Sequence, residues 1–534
     1  MKLNFLPAGA SGLLLEPEQP HDVNRLLAAL QRALEQGSLP GVRELVPAAR
    51  TVLLLLERPL EDDTALRRAV RALRFTGGGG STGGHVEIPV VYDGEDLAET
   101  ARLLGISPEE LIRRHGSRDY LVAFSGFAPG FAYLTGGHPE LDVPRKASPR
   151  VRVPAGAVAL AGRYSAVYPG ASPGGWQLIG RTAAEVWNPE RDPPALLQPG
   201  MTVRFTEAGS AAEGTAPQRR SPPAREPAGG SAAVHVLSTG LQALLQDGGR
   251  PGYAAQGVPA SGAADASARQ RANRLVGNQP AAPVIEALGG GLELRARGPV
   301  TAAVSGASGP LTVTAADGRT VQEHREHAFA LDDGDIVRLG PPAAGLRSCV
   351  AVRGGFRVTG QLGSASTDLL SGLGPPALRP GDVLAIGGDT AGPVGNPETV
   401  PLRLPGDGDT VTVEVTPGPR ADWFTSTALT LFHSQPWLVT PASGRVGLRL
   451  SGRRALSRAR NGELDSEGMV RGAVEVPPDG QPVVFLADHP VTGGYPVIAC
   501  VAARHLDLLA QLPPGVRIRF RPVSPSPATE GGEP

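Results

Sequence analysis

The chain has almost no lysine. Of its 51 basic residues only Lys2 and Lys146 are lysine, and the rest are arginine. A G-x-x-x-x-G-K-[ST] phosphate loop is therefore excluded, because that loop needs its lysine on the terminal phosphates. No lysine sits in the Met-Lys-Met setting that carries covalently attached biotin. Any phosphate handling falls to arginine, to backbone N–H groups or to a bound cation. Cysteine is as scarce. Cys349 and Cys500 lie in the apolar runs SCVAV and VIACVA and read as buried thiols in a reducing cytoplasm, not as a disulfide framework. No apolar run approaches the roughly 20 residues that cross a bilayer. The opening MKLNFLPAGASGLLLEPEQ is a poor secretion signal and a better strand. A net charge of −1 argues against a nucleic-acid or anionic-membrane partner.

Glycine (71) and proline (53), by contrast, are plentiful, which predicts a β-rich protein with many turns. A length of 534 residues predicts two to four domains. Residues 1–80 read as a small α/β piece in β-α-β-α order. HDVNRLLAALQRALEQG has apolar residues at helical spacing, and TVLLLLER is a buried strand. GGGGSTGG is a hinge. ISPEELIRRHG carries a helix start, with Ser107 before Pro108 and Glu110 three residues on. Strands and turns then run to residue 205. Residues 206–233 form a Pro/Gly/Ala linker, 234–522 are again strand-rich, and 523–534 are a disordered tail.

A repeat links the two strand-rich parts. VPAGAVALAG…SPGGWQLIG leads to LLQPGMTVRF, and VPPDGQPVVFLADHPVTGGYPVIAC leads to LLAQLPPGVRIRF. Both glycine turns, Gly174–Gly175 and Thr492–Gly493–Gly494, could present N–H groups as an anion nest, with a plain hairpin corner the equal alternative. VPRKASPRVRVPAG gathers Arg145, Lys146, Arg150 and Arg152, suited to carboxylate or phosphate oxygens unless it is a solvated basic loop. The passage LLQDGGRPGYAAQGVPASGAADASARQRANRLVGN sets Asp247, Arg250, Ser261 and Asp265 in glycine-rich loops before a helix. Asp265 can serve simply as that helix's cap, and Asp247 with Arg250 as a structural pair. ADHPVTGG offers Asp488 and His489 beside the second glycine turn, His489 as a weak candidate base. EHREH lacks the H-E-x-x-H spacing, so no metal site is expected.

Two sets of motifs resemble known families. NFLPAGASGLLLE, HVEIPVVYDG, GFAPGFAYL, PRKASPRVRVPAG and SPGGWQLIGRT resemble the B subunit of 5-oxoprolinase, the KipI or allophanate hydrolase subunit 1 family. GLQALLQDGGRPGYAAQGVPASGAAD, ANRLVGN, LGSASTDLL, SGRVGLRL and FLADHPVTGGYPVIA resemble its C subunit, the KipA or allophanate hydrolase subunit 2 family, which is carboxyltransferase-like. The resemblance implies a B–C fusion. Its fold is mainly β with α+β: a ferredoxin-like piece (1–80), a cyclophilin-like domain (81–205), and a carboxyltransferase-like module of two cyclophilin-like halves (234–522).

The implied activity is ATP-dependent opening of 5-oxo-L-proline to L-glutamate with a separate protein like the 5-oxoprolinase A subunit, through a phosphorylated lactam. ATP and Mg²⁺ are implied by the same resemblance, and a homo-oligomer is left open. A carboxyltransferase component of a urea-degrading biotin system and a KipI-like kinase regulator are the alternatives. Asp247, Arg250, Ser261, Asp265 and Asp488 are the candidate catalytic residues. Arg145, Arg150, Gly174, Gly175, Thr492, Gly493 and Gly494 are the candidate substrate- or phosphate-binding residues. The two modules are expected to face each other and build the site at their contact. Two departures stand out: GAVALAGRYSAVYP replaces a Gly-Ser-Val and Gln-Thr-Gly-Ile-Tyr-Pro pattern, and Gly444 stands where Ser-Asp-Arg-Met-Gly has aspartate.

Overall fold

A computed structural model of the chain describes residues 1–58, 62–75, 84–209, 232–399, 403–460 and 462–523. The expected hinge, linker and tail lie almost wholly outside the described residues.

The N-terminal piece is a four-stranded antiparallel sheet under two helices. The stretch expected as one strand turns at Gly9, whose φ of 68° suits glycine, and forms a hairpin of Leu3–Pro7 with Gly12–Pro17. The order is thus β-β-α-β-β-α, with helices Val23–Glu35 and Thr64–Arg71. In the sheet, Leu3–Pro7 lies beside Gly12–Pro17, then Val52–Leu56, then Val42–Pro47. All neighbouring pairs in it are antiparallel. Leu26, Leu30, Leu15 and Leu54 share its core.

The first module continues as seven strands, from Gln177–Arg181 round to His85–Val90, with a bridge from Val91 to Arg181 bringing the ends together. Its last strand, Thr202–Glu207, runs parallel to its first, His85–Val90. The C-terminal residues repeat this plan as a closed seven-stranded barrel, whose last strand Arg517–Pro522 runs parallel to Thr410–Pro417. TVRF and RIRF are therefore the same closing strand of two barrels. The register corrects the start of the repeat. Ala159 lies opposite Leu178 and Ala166, as Glu475 lies opposite Val497 and Val483. AGAVALAG thus matches RGAVEV, one strand earlier than VPPDG suggests. Two-stranded ribbons follow suit: Arg150–Val153 with Ser172–Gly174, and Glu467–Gly468 with Thr492–Gly493.

Between these barrels, a six-stranded and a five-stranded antiparallel sheet share one core that includes Val236, Leu245, Leu294 and Val350. The modules pack closely. Leu14 and Leu53 of the N-terminal piece join Met469, Phe485 and Cys500 of the last barrel in one apolar cluster. Arg420 beside them donates to Glu16 (2.9 Å) and also pairs with Glu467. Cys349 and Cys500 are buried free thiols. Among the described residues no helix is long and apolar enough to cross a membrane.

Candidate functional site

Three loops meet where the modules touch. The first comes from FSGFAPGF. A Cβ on Gly126 would lie 2.0 Å from Thr492 Oγ1, so only glycine lets the loop seat against the second glycine turn. The second loop is 253–258. Gly130 N donates to the Gln256 carbonyl (2.9 Å), and Gln256 Oε1 accepts from Ala195 N (3.0 Å). A Cβ on Gly257 would meet the Ala128 carbonyl at 2.7 Å. The third is the turn Thr492–Gly494 itself.

Behind this contact lies a buried ionic network that joins the two halves of the second module. Ser261, held at a φ of 56°, donates to Asp488 Oδ1 (2.6 Å). Arg445 forks onto Asp488 through Nε (2.7 Å) and Nη2 (2.9 Å). Its Nη1 reaches Glu286 (2.5 Å), and Nη2 also reaches the Gly262 carbonyl (2.7 Å). Burial works against the charge on Arg445, but Glu286 and Asp488 outweigh it and hold the guanidinium protonated. Arg445 and Glu286 were not singled out from the sequence. The motif SGRVGLRL contains Arg445, but its partners lie far along the chain.

The other predicted residues nearby brace loops. Asp247 accepts from Ser364 Oγ, Ser366 Oγ and Ala365 N, each at 2.6 Å, and from Gly249 N at 2.8 Å. Asp265 caps its helix by accepting from Ala268 N (2.8 Å), and its second oxygen accepts from Gln511 (2.6 Å). Arg250 is 1% exposed and donates to the Ser366 carbonyl, while its Nε and Nη1 have no hydrogen-bond partner among the described residues. Asp368 of LGSASTDLL lies close enough to favour the Arg250 charge. Burial and then Asp488 push the Asp368 carboxyl above its usual range, and its Oδ2 also has no hydrogen-bond partner among the described residues. His489 is spoken for: Nδ1 faces the Pro490 carbonyl at 2.8 Å, and burial lowers its pKa.

In the first module the basic cluster divides. Arg150 grips Asp96 through both carboxylate oxygens (2.7 and 2.8 Å), and Lys146 Nζ reaches Asp96 (2.7 Å) and Glu99 (3.1 Å). Burial alone would raise the Asp96 carboxyl, yet these cations hold it below the usual range. Arg150 and Lys146 are thus occupied. Arg145 is exposed, has no hydrogen bond or ion pair among the described residues, and sits close enough to Tyr133, Tyr164 and Tyr168 to favour their ionised forms. The nest expectation fails at both turns: Gly174, Gly175, Gly493 and Gly494 all lie outside the left-handed region that a nest alternates with. Close packing explains Gly174, since a Cβ there would lie 2.3 Å from Tyr168 Oη.

The two sequence departures have different surroundings. Tyr164 and Tyr168 belong to an aromatic group with Phe131, Tyr133 and Trp176. A Cβ at Gly444 would meet nothing within 4 Å among the described residues. Among the described residues no cluster of three or more His, Cys, Asp or Glu forms a metal site. A hollow of about 580 Å³ beside His85, Glu87 and Arg113 is remote from this contact, and its Arg204 and Asp119 are already paired at 2.6 Å.

This arrangement has clear relatives. The family model for carboxyltransferase domain subdomains C and D matches residues 3–197, and that for subdomains A and B matches residues 256–522. The chain belongs to the carboxyltransferase-domain family, as a fusion of the B and C types of 5-oxoprolinase subunit. The 5-oxoprolinase B subunit of Escherichia coli O157:H7 is 38% identical over 37% of this chain and 92% of its own length. The 5-oxoprolinase C subunit of Escherichia coli K12 is 34% identical over 54% of this chain and 90% of its own length. The crystal structure of TTHA0988 is 37% identical and covers 96% of this chain and 99% of its own, with a TM-score of 0.82. Urea amidolyase of Kluyveromyces lactis is 30% identical over 55% of this chain but only 19% of its own, with a TM-score of 0.51.

Proposed function

We propose that the chain is the B–C component of an ATP-dependent 5-oxoprolinase, opening 5-oxo-L-proline to L-glutamate with a separate A-type subunit. The observation that carries this is that each module covers about nine-tenths of a relative named as a 5-oxoprolinase subunit, in one chain. A lactam accepts water poorly. Phosphorylating its oxygen makes a better electrophile, and the charge that develops calls for fixed donors.

MgATP is the co-substrate in this reading, and Mg²⁺ travels with the nucleotide, since magnesium is commonly held by phosphates and one or two carboxylates. Arg145 is suited to the anionic group of the bound molecules, because its fork is free. Ser261, Asp488 and Arg445 hold the second module's loops rigid near the glycine turn. A cytoplasmic location agrees with the two free thiols.

Equilibrium dialysis of labelled 5-oxoproline tests the reading, with the full chain, Mg²⁺ and a non-hydrolysable ATP analogue. Binding near one per chain is expected, weakened roughly tenfold or more in Arg145→Ala, as loss of a charge-assisted contact requires. Retention of urea in place of 5-oxoproline would favour the urea-system alternative, in keeping with the urea amidolyase likeness.

A further inference from the structure

A hollow of about 470 Å³ opens in the second module and shares no lining residue with the module contact. Its volume falls within the roughly 300–1,000 Å³ of small-molecule sites. One wall is the turn that carries EHREH, and another is the chain at 403–409 that leads into the last barrel. In the EHREH turn Glu326 holds a φ of 59°, uncommon for a residue with a Cβ, while its N donates to the Val304 carbonyl (2.9 Å). The turn places Arg325 and Glu326 side by side on the hollow.

Arg325, Glu326, Arg403 and Asp409 line this space, and among the described residues none of them forms an ion pair with another. The first two and the last are fixed from behind. Arg325 donates from Nε to the Gly309 carbonyl (2.9 Å) and from Nη1 to the Ala307 carbonyl (2.7 Å) and Ser348 Oγ (2.9 Å). Its Nη2 is left without a hydrogen bond among the described residues. Burial lowers the Arg325 pKa to about 10, against the pull of Glu326, so the guanidinium keeps its charge at neutral pH. Glu326 is committed to Arg271 (2.8 Å) and Gly306 N (3.1 Å). One oxygen of Asp409 accepts from Gly406 N (2.9 Å). Arg403 is exposed and has no hydrogen bond or ion pair among the described residues. Opposite charges in reach of one another normally close into pairs. Here two guanidinium groups and one carboxylate are held apart around a single space, each with bonding capacity to spare.

The geometry points to a binding site for a free acidic amino acid, with its carboxylates on Arg325 and Arg403 and its ammonium on Asp409. The charges of such a molecule match the uncommitted groups in sign and number. L-Glutamate is the product under the 5-oxoprolinase reading, so the hollow holds product at a second place, away from the module contact. 5-Oxoproline has no ammonium and only one carboxylate, so the same groups favour product over substrate. Naming L-glutamate as the occupant rests on that reading, whereas the charge pattern of the hollow does not.

The test is isothermal titration of the full chain with L-glutamate, glutarate and 5-oxoproline, without nucleotide. Glutamate is expected to bind near one per chain and to weaken roughly tenfold or more in Arg403→Ala, as loss of a charge-assisted contact requires. Arg403 is exposed, so this variant keeps the fold. Glutarate, which lacks the ammonium, is expected to bind more weakly than glutamate, and Asp409→Asn to abolish that preference. No saturation by about 10 mM glutamate, or binding indifferent to Arg403→Ala, overturns the site. Glutarate binding as tightly as glutamate overturns the amino-acid assignment. Loss of binding in Arg145→Ala but not in Arg403→Ala puts glutamate at the module contact and equally overturns the site. Glutamate bound as expected by a chain whose ADP release ignores 5-oxoproline overturns the 5-oxoprolinase reading and leaves the site standing.

Discussion

Replacing Arg445 by methionine removes the centre of the buried network while keeping the length of the side chain. The change deletes two bonds to Asp488 (2.7 and 2.9 Å), one to Glu286 (2.5 Å) and one to the Gly262 carbonyl (2.7 Å). Asp488 is 1% exposed and Glu286 4%, so both carboxylates are left stranded out of water. Their remaining donors, Ser261 Oγ, Ala264 N and Arg347, compensate only in part. Breaking a buried pair in this way costs about 3–5 kcal/mol. In a unit of this size that lowers Tm by roughly 6–10 °C. The assay is calorimetric melting at neutral pH. A variant melting within about 2 °C of wild type would refute the account of this network.

Two further substitutions probe other parts of the fold. His115 is fully buried, its Nδ1 2.8 Å from Tyr92 Oη and its Nε2 2.9 Å from Ser165 Oγ, and burial lowers its pKa to about 3. Below pH 6.5 the unfolded chain takes up a proton that the folded state refuses, so stability falls with acid by up to about 1.4 kcal/mol per pH unit. His115→Gln is expected to lose that slope in denaturant titrations across pH 4–7. Gly126→Val drives a side chain toward Thr492 Oγ1, 2.0 Å from the Cβ position, and is expected to cost about 1–3 kcal/mol and weaken the module contact. Limited proteolysis of the 126–131 loop reads this directly.

The sequence was legible where function depends on residues near one another. Ser107 accepts from Glu110 N as its capping pattern predicts, and Asp265 caps the helix that follows it. The glycine turns and closing strands revealed the barrel repeat, although the alignment slipped at VPPDG, which joins two paired strands where VPAG joins two strands that do not pair. Partnership across long separations was not legible. Nothing in VPRKASPR says that Asp96 consumes Arg150 and Lys146, or that Arg145 is left free. The glycines of the turns were read as anion donors. Three-dimensional packing shows that Gly174 is required by Tyr168 and that the Thr492 turn is closed over by Gly126.

The most direct measurement is glutamate formed per ADP released, with the purified chain, MgATP, 5-oxoproline and the A-type subunit. The account predicts one glutamate per ADP in the complete mixture and no glutamate when either protein is left out. ADP release indifferent to 5-oxoproline in every mixture would contradict it.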